Sequence, residues 1–140
     1  MRGLKDKMDK ELLFQKAKEA YKNNYAIFSK FGVSAAVYLK NGDIFTGVNI
    51  ENSSYPLTIC AERCALFKVY SEGYRKDDII ALCIYHEGNE VMPYPCGACR
   101  QVMSDLMNHD SFVYIINDKD MEAHTVDELL PFSFTPESLK

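Results

Sequence analysis

Hydrophobic residues recur along this chain with two periods, one typical of helices and one typical of strands. Over about 9–23, leucine, alanine and tyrosine recur at helical spacing with lysines between them, which predicts an amphipathic first helix. Two strands are predicted next, over about 33–39 and 44–48. Asn41-Gly42 lies between these strands and is typical of a hairpin turn.

The middle of the chain predicts a second helix and a buried strand. The helix is expected over about 60–71, with Thr58 as its N-cap and Gly73 after its end. The following segment, 79–85, is apolar almost without interruption. Such a run is typical of an interior strand that is covered on both faces.

The remaining elements follow the same alternation. A third helix is predicted over about 96–108, a buried strand over 112–116 and a short edge strand over 121–124. Thr125 and Glu128 match a capping box, which predicts a last short helix. The order of elements predicts an α/β fold, a mixed five-stranded sheet with helices on both faces. We expect the 140 residues to form a single domain, 1–140.

Composition narrows the possible substrates. The formal net charge is −4, the isoelectric point is near 5.4, and lysine and arginine form no block. Nucleic-acid binding depends largely on clustered positive charge, so we expect no nucleic-acid partner and a small-molecule substrate.

The start of the chain is charged, with Arg2, Lys5 and Lys7, and no apolar run is long enough to cross a bilayer. We therefore expect a cytoplasmic protein with no membrane partner. Thiols stay reduced in that compartment, so cysteine spacing points to metal binding or catalysis rather than to disulfides. Cys64 and Cys83 have apolar neighbours, and we expect both in the core.

Two short motifs carry the candidate chemistry. They read Cys60-Ala61-Glu62-Arg63 and Pro95-Cys96-Gly97-Ala98-Cys99-Arg100, and each falls where a loop enters a predicted helix. The positive end of a helix dipole lowers the pKa of cysteine toward the thiolate that zinc requires. Cys60, Cys96 and Cys99 are thus expected to occupy three corners of a tetrahedral Zn²⁺. The fourth corner is left for water, as in catalytic zinc sites.

Glu62 lies two residues from a ligand and is not itself a ligand, which suits a group that moves protons to and from a zinc-activated water.

Other interpretations of the cysteine motifs remain open. A Cys-x-x-Cys motif alone also fits a redox pair or half of a structural zinc site. A structural site needs a fourth protein ligand, drawn from Cys64, His86, His109 and His124.

Two arginines directly follow the ligand motifs. Three thiolates leave a zinc centre with a net negative charge, so a nearby donor is needed to withdraw charge from sulfur. Arg63 and Arg100 each offer a rigid set of donors beside the metal ligands, and Arg63 is the stronger candidate. The alternative is that either residue forms a surface or intersubunit salt bridge.

With both motifs placed, the chain resembles the small, homotetrameric, three-cysteine cytidine deaminases from about residue 25 to 139. Further matching segments are Ser29-Lys30-Phe31, Asn49-Ile50-Glu51-Asn52 and Glu128-Leu129-Leu130-Pro131. The resemblance implies a three-layer cytidine deaminase-like fold, one Zn²⁺ per chain and a pyrimidine nucleoside as substrate.

The resemblance also implies individual roles. Asn49 and Glu51 are expected to hold the ribose hydroxyls, Phe31 to lie against the pyrimidine ring, and the backbone of Ala61 to meet the base edge. Tyr55 and Phe134 are expected to contact neighbouring subunits, so that a homotetramer completes each active site.

The implied reaction is hydrolytic deamination of cytidine or 2′-deoxycytidine. Activated water attacks C4 of cytosine, Glu62 carries its proton to N3 and then to the leaving amine, and ammonia departs to give the uridine product. Three alternatives remain: an aminonucleoside-antibiotic deaminase, a polynucleotide cytosine deaminase, which the acidic charge disfavours, and a zinc-stabilised binding module without catalysis. The last predicts that Glu62 is dispensable.

The chain departs from the family pattern in three places. Ser34 replaces a glycine that is usual after Val33, Ala26-Ile27 replaces a small residue followed by proline, and Phe132 stands where glycine is common. None of these is a proposed ligand, so we expect them to affect local packing and the path of the tail.

Overall fold

A computed structural model of the chain describes residues 8–139. The charged residues at the start of the chain, on which the expectation of a cytoplasmic protein partly depends, lie outside that range. None of the described helices combines the length and the apolar character needed to span a membrane. The helices and strands are α1 (Lys10–Ala20), β1 (Ser34–Leu39), β2 (Ile44–Val48), α2 (Ala61–Ser71), β3 (Ile79–Tyr85), α3 (Gly97–Leu106), β4 (Phe112–Ile116), β5 (Met121–Thr125) and α4 (Val126–Leu129).

The five strands form one mixed sheet in the order β2-β1-β3-β4-β5. β1 pairs antiparallel with β2 and with β3, β3 and β4 are parallel, and β5 pairs antiparallel with β4 at the edge. The predicted order of elements and the predicted mixed sheet are confirmed.

Helices cover both faces of this sheet, as predicted. On one face, Leu13 and Ala17 of α1 are fully buried against a cluster that includes Ala36 and Cys83 of the sheet. On the other face, α2, α3 and α4 bury a larger cluster that includes Leu66 and Met103. The fold is therefore a three-layer α/β structure with one apolar core on each side of the sheet.

The hairpin between β1 and β2 is one residue longer than a two-residue turn. Leu39 donates its N–H to the carbonyl of Asp43, and Gly42 donates to the carbonyl of Leu39. Gly42 has φ +93°, a left-handed conformation that glycine adopts without steric cost. The predicted Asn41-Gly42 turn thus forms within a three-residue loop that ends at a left-handed glycine.

The predicted cap of α2 is wrong by two residues. Cys60, with extended backbone (φ −78°, ψ 156°), is the N-cap, and the Thr58 hydroxyl instead accepts a hydrogen bond from the N–H of Asn52. Ile50 and Ile59 exchange both backbone hydrogen bonds. This pairing keeps the chain extended as far as Cys60 and delays the helix.

Two expectations about packing have different outcomes. Cys83 is completely buried, as expected, and burial raises the pKa of its thiol. Cys64 is only half-buried. Ser34, the departure from glycine, is also completely buried, and its hydroxyl donates to the carbonyl of Ala17 at 2.6 Å. This serine ties β1 to the end of α1.

Candidate active site

Three connecting segments meet at one end of the sheet. β1 begins there at Ser34, which pairs with Val48 at the end of β2 and with Tyr85 at the end of β3. Three connecting segments therefore leave or enter the sheet side by side, namely 24–33, 49–60 and 86–96. In open α/β sheets, ligands bind beyond the carboxyl ends of the parallel strands, here β3 and β4.

A glycine sets the position of α2 against this end of the sheet. A Cβ atom added at Gly47 of β2 would lie 2.5 Å from the backbone N of Ala65 and 2.7 Å from the carbonyl O of Ala61. A larger residue would push the helix away, so Gly47 allows the first turn of α2 to pack directly on the strand. That turn carries Cys60 and Glu62.

The three predicted ligands come together. The Sγ atoms of Cys60, Cys96 and Cys99 all lie within 4.8 Å of one another, and those of Cys60 and Cys96 are 3.8 Å apart. A tetrahedral zinc with Zn–S bonds of about 2.3 Å separates its sulfur ligands by about 3.8 Å. The donor set and its spacing therefore fit a zinc ion.

The alternative fourth ligands lie elsewhere. His86 stacks on Phe31, His109 lies 3.2 Å from a carboxylate oxygen of Asp127, and His124 lies 2.8 Å from one of Glu122. Among residues 8–139, the cluster of potential metal ligands contains only the three cysteines. The cluster is thus suited to a zinc with an open coordination position rather than to a closed structural site.

The guanidinium of Arg63 lies against the thiol of Cys60 in the cysteine cluster. Its Nη2 donates to the Sγ of Cys60 at 3.4 Å, and its Nε is buried without a hydrogen-bond partner in the described part of the chain. Interaction with the Cys99 thiol, and next with the Arg63 guanidinium, lowers the pKa of Cys60 to about 5. Hydrogen bonding to Cys60 correspondingly raises the pKa of Arg63.

Arg100 takes a different position. Its Nε donates to the carbonyl of Pro95 at 2.7 Å and its Nη1 to the carbonyl of Leu129 at 2.9 Å. The expected bond to a thiolate sulfur is not among its contacts. Arg100 instead links Pro95, the residue before Cys96, to Leu129 at the end of α4. These two hydrogen bonds hold the loop that carries Cys96 without contact to its sulfur.

Glu62 is almost completely buried beside the sulfur cluster. The residue is 4% exposed. Burial raises the pKa of its carboxyl to about 7, and the negative charge of Cys60 acts in the same direction. A carboxyl group with a pKa near neutrality can both accept and release a proton at physiological pH.

Asn49 binds the segment that precedes β1. Its Oδ1 accepts from the N–H of Val33 at 3.0 Å, and its Nδ2 donates to the carbonyl of Phe31 at 2.8 Å. Asn49 also joins this segment to the metal ligands, because its neighbour Ile50 pairs with Ile59, next to Cys60. One hydrogen of its amide nitrogen remains for another acceptor.

Glu51 binds the same segment farther from the sheet. One carboxylate oxygen accepts from the N–H of Phe28 at 2.8 Å and from that of Ser29 at 2.9 Å, and the other accepts from the Ser29 hydroxyl. The hydroxyl bond, followed by the amide bond from Ser29, lowers the pKa of Glu51. A surface cavity of about 440 Å³ adjoins this carboxylate and is lined by Phe28, Ser29, Glu51, Tyr55 and Thr58.

The other predicted substrate residues differ in exposure. Phe31 is 36% exposed at the end of the 24–33 segment. Ala61 is fully buried as the first residue of α2, where a helix leaves its N–H unpaired. Tyr55 and Phe134 are largely exposed. The tail is nevertheless attached to α3, because the Nε2 of Gln101 donates to the carbonyl of Phe134 at 2.9 Å.

Two features of this region were not predicted from the sequence. The ring of His86 stacks on that of Phe31, whereas the sequence indicates His86 only as a possible metal ligand. Phe132 is fully exposed and has φ +56°, an unusual conformation for a bulky residue. Its replacement of glycine in the sequence is the one signal for this second feature.

Comparisons with known proteins agree with this geometry. The family model described as the cytidine and deoxycytidylate deaminase zinc-binding region matches residues 7–115. A cytidine deaminase of Halalkalibacterium halodurans is 47% identical over 133 residues, covering 94% of this chain and 98% of the relative. A crystal structure of cytidine deaminase from Burkholderia pseudomallei superposes with a TM-score of 0.86 at 39% identity, covering 91% of this chain and all of that one.

A protein with a different printed activity is also similar. A blasticidin-S deaminase of Bacillus cereus is 32% identical over 130 residues, covering 89% of each chain. The residues matched by the family model, which is described as a zinc-binding region, include Cys60, Cys96 and Cys99, and the structure brings these three cysteines together. With its fold, its zinc-binding cysteines and these relatives in agreement, the chain belongs to the cytidine and deoxycytidylate deaminase family.

Proposed function

We propose that this protein is a zinc-dependent enzyme that hydrolyses cytidine and 2′-deoxycytidine to uridine and 2′-deoxyuridine with release of ammonia. The observation that carries the proposal is the cluster of three cysteine sulfurs, spaced for zinc, beside the buried carboxyl of Glu62. The similarity to cytidine deaminases over most of the chain supports cytidine as the substrate.

Zn²⁺, when bound by Cys60, Cys96 and Cys99, supplies a Lewis acid that activates water as a nucleophile at neutral pH. Glu62 accepts the proton that this water loses as it attacks C4 of the pyrimidine. Glu62 then delivers this proton to N3 and carries the remaining proton of the oxygen added at C4 to the amino group, which departs as ammonia. The raised pKa of the buried carboxyl suits a group that takes up and gives back a proton in each cycle.

The substrate is held by residues around the same end of the sheet. The Phe31 ring lies against the pyrimidine, and the backbone of Ala61 meets the polar edge of the base. Asn49 and Glu51 bind ribose hydroxyls. Asn49 uses the amide hydrogen that is not bonded to the 28–33 segment, and Glu51 uses the carboxylate lone pairs that its bonds to that segment leave available. Both nucleosides carry a 3′-hydroxyl for these two side chains.

Neighbouring subunits complete the site in this proposal. Tyr55 and Phe134 are exposed aromatic residues, and side chains of this kind are common at the centre of protein interfaces. We infer a homotetramer in which Phe134 of one subunit reaches the base pocket of another and Tyr55 contributes intersubunit contacts. The chain acts as a single domain, 1–140, in cytoplasmic pyrimidine salvage.

Substrate comparison tests the proposal directly. Purified zinc-loaded protein is mixed with cytidine, 2′-deoxycytidine or blasticidin S, and the loss of ultraviolet absorbance is followed with product identification. We expect both pyrimidine nucleosides to be deaminated with a higher kcat/KM than the antibiotic. Turnover of blasticidin S alone would assign the site to aminonucleoside antibiotics, and no turnover with one zinc per chain would favour a binding module.

A further inference from the structure

The ring of Phe31 is covered on one side by an imidazole. The ring centroids of Phe31 and His86 are 3.9 Å apart and their planes differ by 11°, so the two rings lie parallel and in contact. Phe31 keeps 36% of its surface exposed. The stack therefore supports the phenyl ring and still leaves part of it accessible to a ligand.

His86 is itself held in a fixed orientation. Its Nδ1 lies 2.6 Å from the carbonyl O of Gly32, and because a carbonyl only accepts, Nδ1 carries the proton and donates it. The backbone N–H of His86 donates to the carbonyl of Ile116 at 3.3 Å. Tyr21 meets the imidazole edge-on, with ring centroids 6.2 Å apart. One side chain thus stacks on Phe31 and binds the residue that follows it.

The segment that carries Phe31 has no regular secondary structure to hold the ring. Lys30, directly before it, has φ +61°, a left-handed conformation that is uncommon for residues other than glycine. The Phe31 N–H donates to the Ser29 hydroxyl at 3.0 Å, and its carbonyl accepts from Asn49. These bonds hold the backbone of Phe31 on one side, and His86 contacts the same segment through the phenyl ring and through the carbonyl of Gly32.

This arrangement connects the two sides of the candidate active site. His86 directly follows β3 and begins the connection that leads to Cys96. Phe31 is held by Asn49, whose neighbour Ile50 pairs with Ile59 beside Cys60. The contact between the two rings therefore joins the segment of the first zinc ligand to that of the second.

We propose that His86 is a positioning residue for substrate, whose ring fixes Phe31 as a rigid wall of the pyrimidine nucleoside site. The inference rests on the proposed function, because it takes a pyrimidine nucleoside as the occupant of the site. His86 acts through Phe31 and touches none of the reacting atoms. Its loss thus weakens nucleoside binding and leaves the chemical step intact.

Three substitutions in the full-length, zinc-loaded enzyme separate the stack from the hydrogen bond. His86→Ala removes both, His86→Phe keeps an aromatic face, and His86→Asn keeps a donor near the position of Nδ1. We expect His86→Ala and His86→Asn to raise KM for cytidine by about 3- to 10-fold, the range for loss of one aromatic pair. Their kcat should stay within about twofold of wild type, and His86→Phe should restore KM.

Several results would overturn the inference. One is an unchanged KM in His86→Ala, and another is an equal loss of kcat or a loss of zinc, which would indicate a general structural role. If His86→Asn behaved as wild type and His86→Phe did not, the hydrogen bond rather than the stack would be responsible. His86→Phe and His86→Asn still decide between these outcomes if His86→Ala fails to fold.

A double variant gives an independent test. In a Phe31→Ala background, His86→Ala should no longer raise KM, and additive effects of the two substitutions on KM would contradict the inference.

A second measurement separates this inference from the proposed function. If wild type does not deaminate cytidine, the proposed function fails, yet hydrogen exchange of the 28–33 amides still reports how firmly the segment is held. We expect faster exchange there in His86→Ala and none of this change in His86→Phe. His124→Asn, which alters a histidine paired with Glu122, serves as the control. Equal exchange in wild type and His86→Ala would contradict the positioning role.

Discussion

Among single residues, a guanidinium lies against one of the sulfur atoms of the site. Arg63 donates to the Cys60 Sγ, whereas Arg100 donates to the carbonyls of Pro95 and Leu129. Both arginines follow a ligand motif in the sequence, so only the structure separates their roles. The geometry therefore favours Arg63 over Arg100 as the residue that withdraws charge from the thiolates.

Replacing Arg63 by glutamine should therefore impair the site more than the same change at Arg100. A hydrogen bond to a charged group contributes about 1.5–3 kcal/mol, so we expect Arg63→Gln to lower kcat/KM for cytidine by about 10-fold or more and to weaken zinc binding. Chelator competition and steady-state kinetics measure both effects, with Arg100→Gln as the matched control. Unchanged zinc affinity and turnover in Arg63→Gln would contradict the role of this arginine.

The Glu51 carboxylate should set an acid limit on substrate binding. Hydrogen bonds from Ser29 lower its pKa below the ordinary value of 4.5. The stabilisation from these bonds is thus fully present above pH 4.5 and is lost as the pH falls through the folded-state pKa. We expect Ser29→Ala to raise the pKa of Glu51 toward its ordinary value, as measured by carboxyl NMR titration. A pKa that does not move would show that the Ser29 hydroxyl is not the main cause.

Residue types and spacing predicted the ligands but not their surroundings. Each cysteine motif lies at the start of a helix, so Cys60, Cys96 and Cys99 were predicted together, and the structure brings their sulfurs together. The direction of a long side chain such as Arg100 depends on tertiary contacts, which spacing does not contain. The stack of His86 on Phe31 likewise joins residues far apart in the sequence.

At the scale of elements, a buried serine links the first helix to the sheet. The Ser34 hydroxyl donates to the Ala17 carbonyl at 2.6 Å with no exposure to solvent. A hydrogen bond of this kind contributes about 1 kcal/mol. The residue that departs from the family pattern is therefore integrated into the packing of α1 on β1.

Ser34→Ala should lower the free energy of unfolding by about 1 kcal/mol, because it removes this bond from a buried position. Urea denaturation of the zinc-loaded protein measures the change. Ser71→Ala is the control, since the Ser71 hydroxyl makes a similar bond to the Lys68 carbonyl at an exposed site and should cost less than about 0.5 kcal/mol. Equal losses in the two variants would argue against a special role for Ser34.

Elements were predicted best where hydrophobicity is continuous. β3 and β4 have the predicted bounds, because nearly uninterrupted apolar runs are bounded by polar turns. The start of α2 was predicted correctly at about residue 60, but its N-cap was misplaced at Thr58, since the pairing of Ile50 with Ile59 is a tertiary constraint. Local capping preferences do not reveal such a constraint.

For the molecule as a whole, the proposed homotetramer assigns two exposed aromatic residues to contacts between subunits. Phe134 lies on a tail attached to α3, and Tyr55 lies beside the cavity that contains Glu51. If neighbouring subunits complete each site, Glu62 and the Phe134 that serves it come from different chains.

Mixing two inactive variants tests this arrangement. Glu62→Ala and Phe134→Ala chains, unfolded and refolded together, should form some sites with both side chains intact and recover activity that neither variant has alone. Light scattering should give four times the 16.0 kDa of one chain. A fully active protein with the mass of one chain, or no recovery on mixing, would contradict shared sites.

In the proposed reaction, Glu62 moves the protons of a zinc-dependent deamination. The most direct test compares wild type with Glu62→Gln at equal zinc content, following the absorbance lost as cytidine becomes uridine. Glutamine keeps the size of the buried side chain but cannot take up the proton, so we expect kcat to fall by about 10²- to 10⁴-fold with zinc retained. A Glu62→Gln enzyme that holds zinc and deaminates cytidine at the wild-type rate would contradict this role of Glu62.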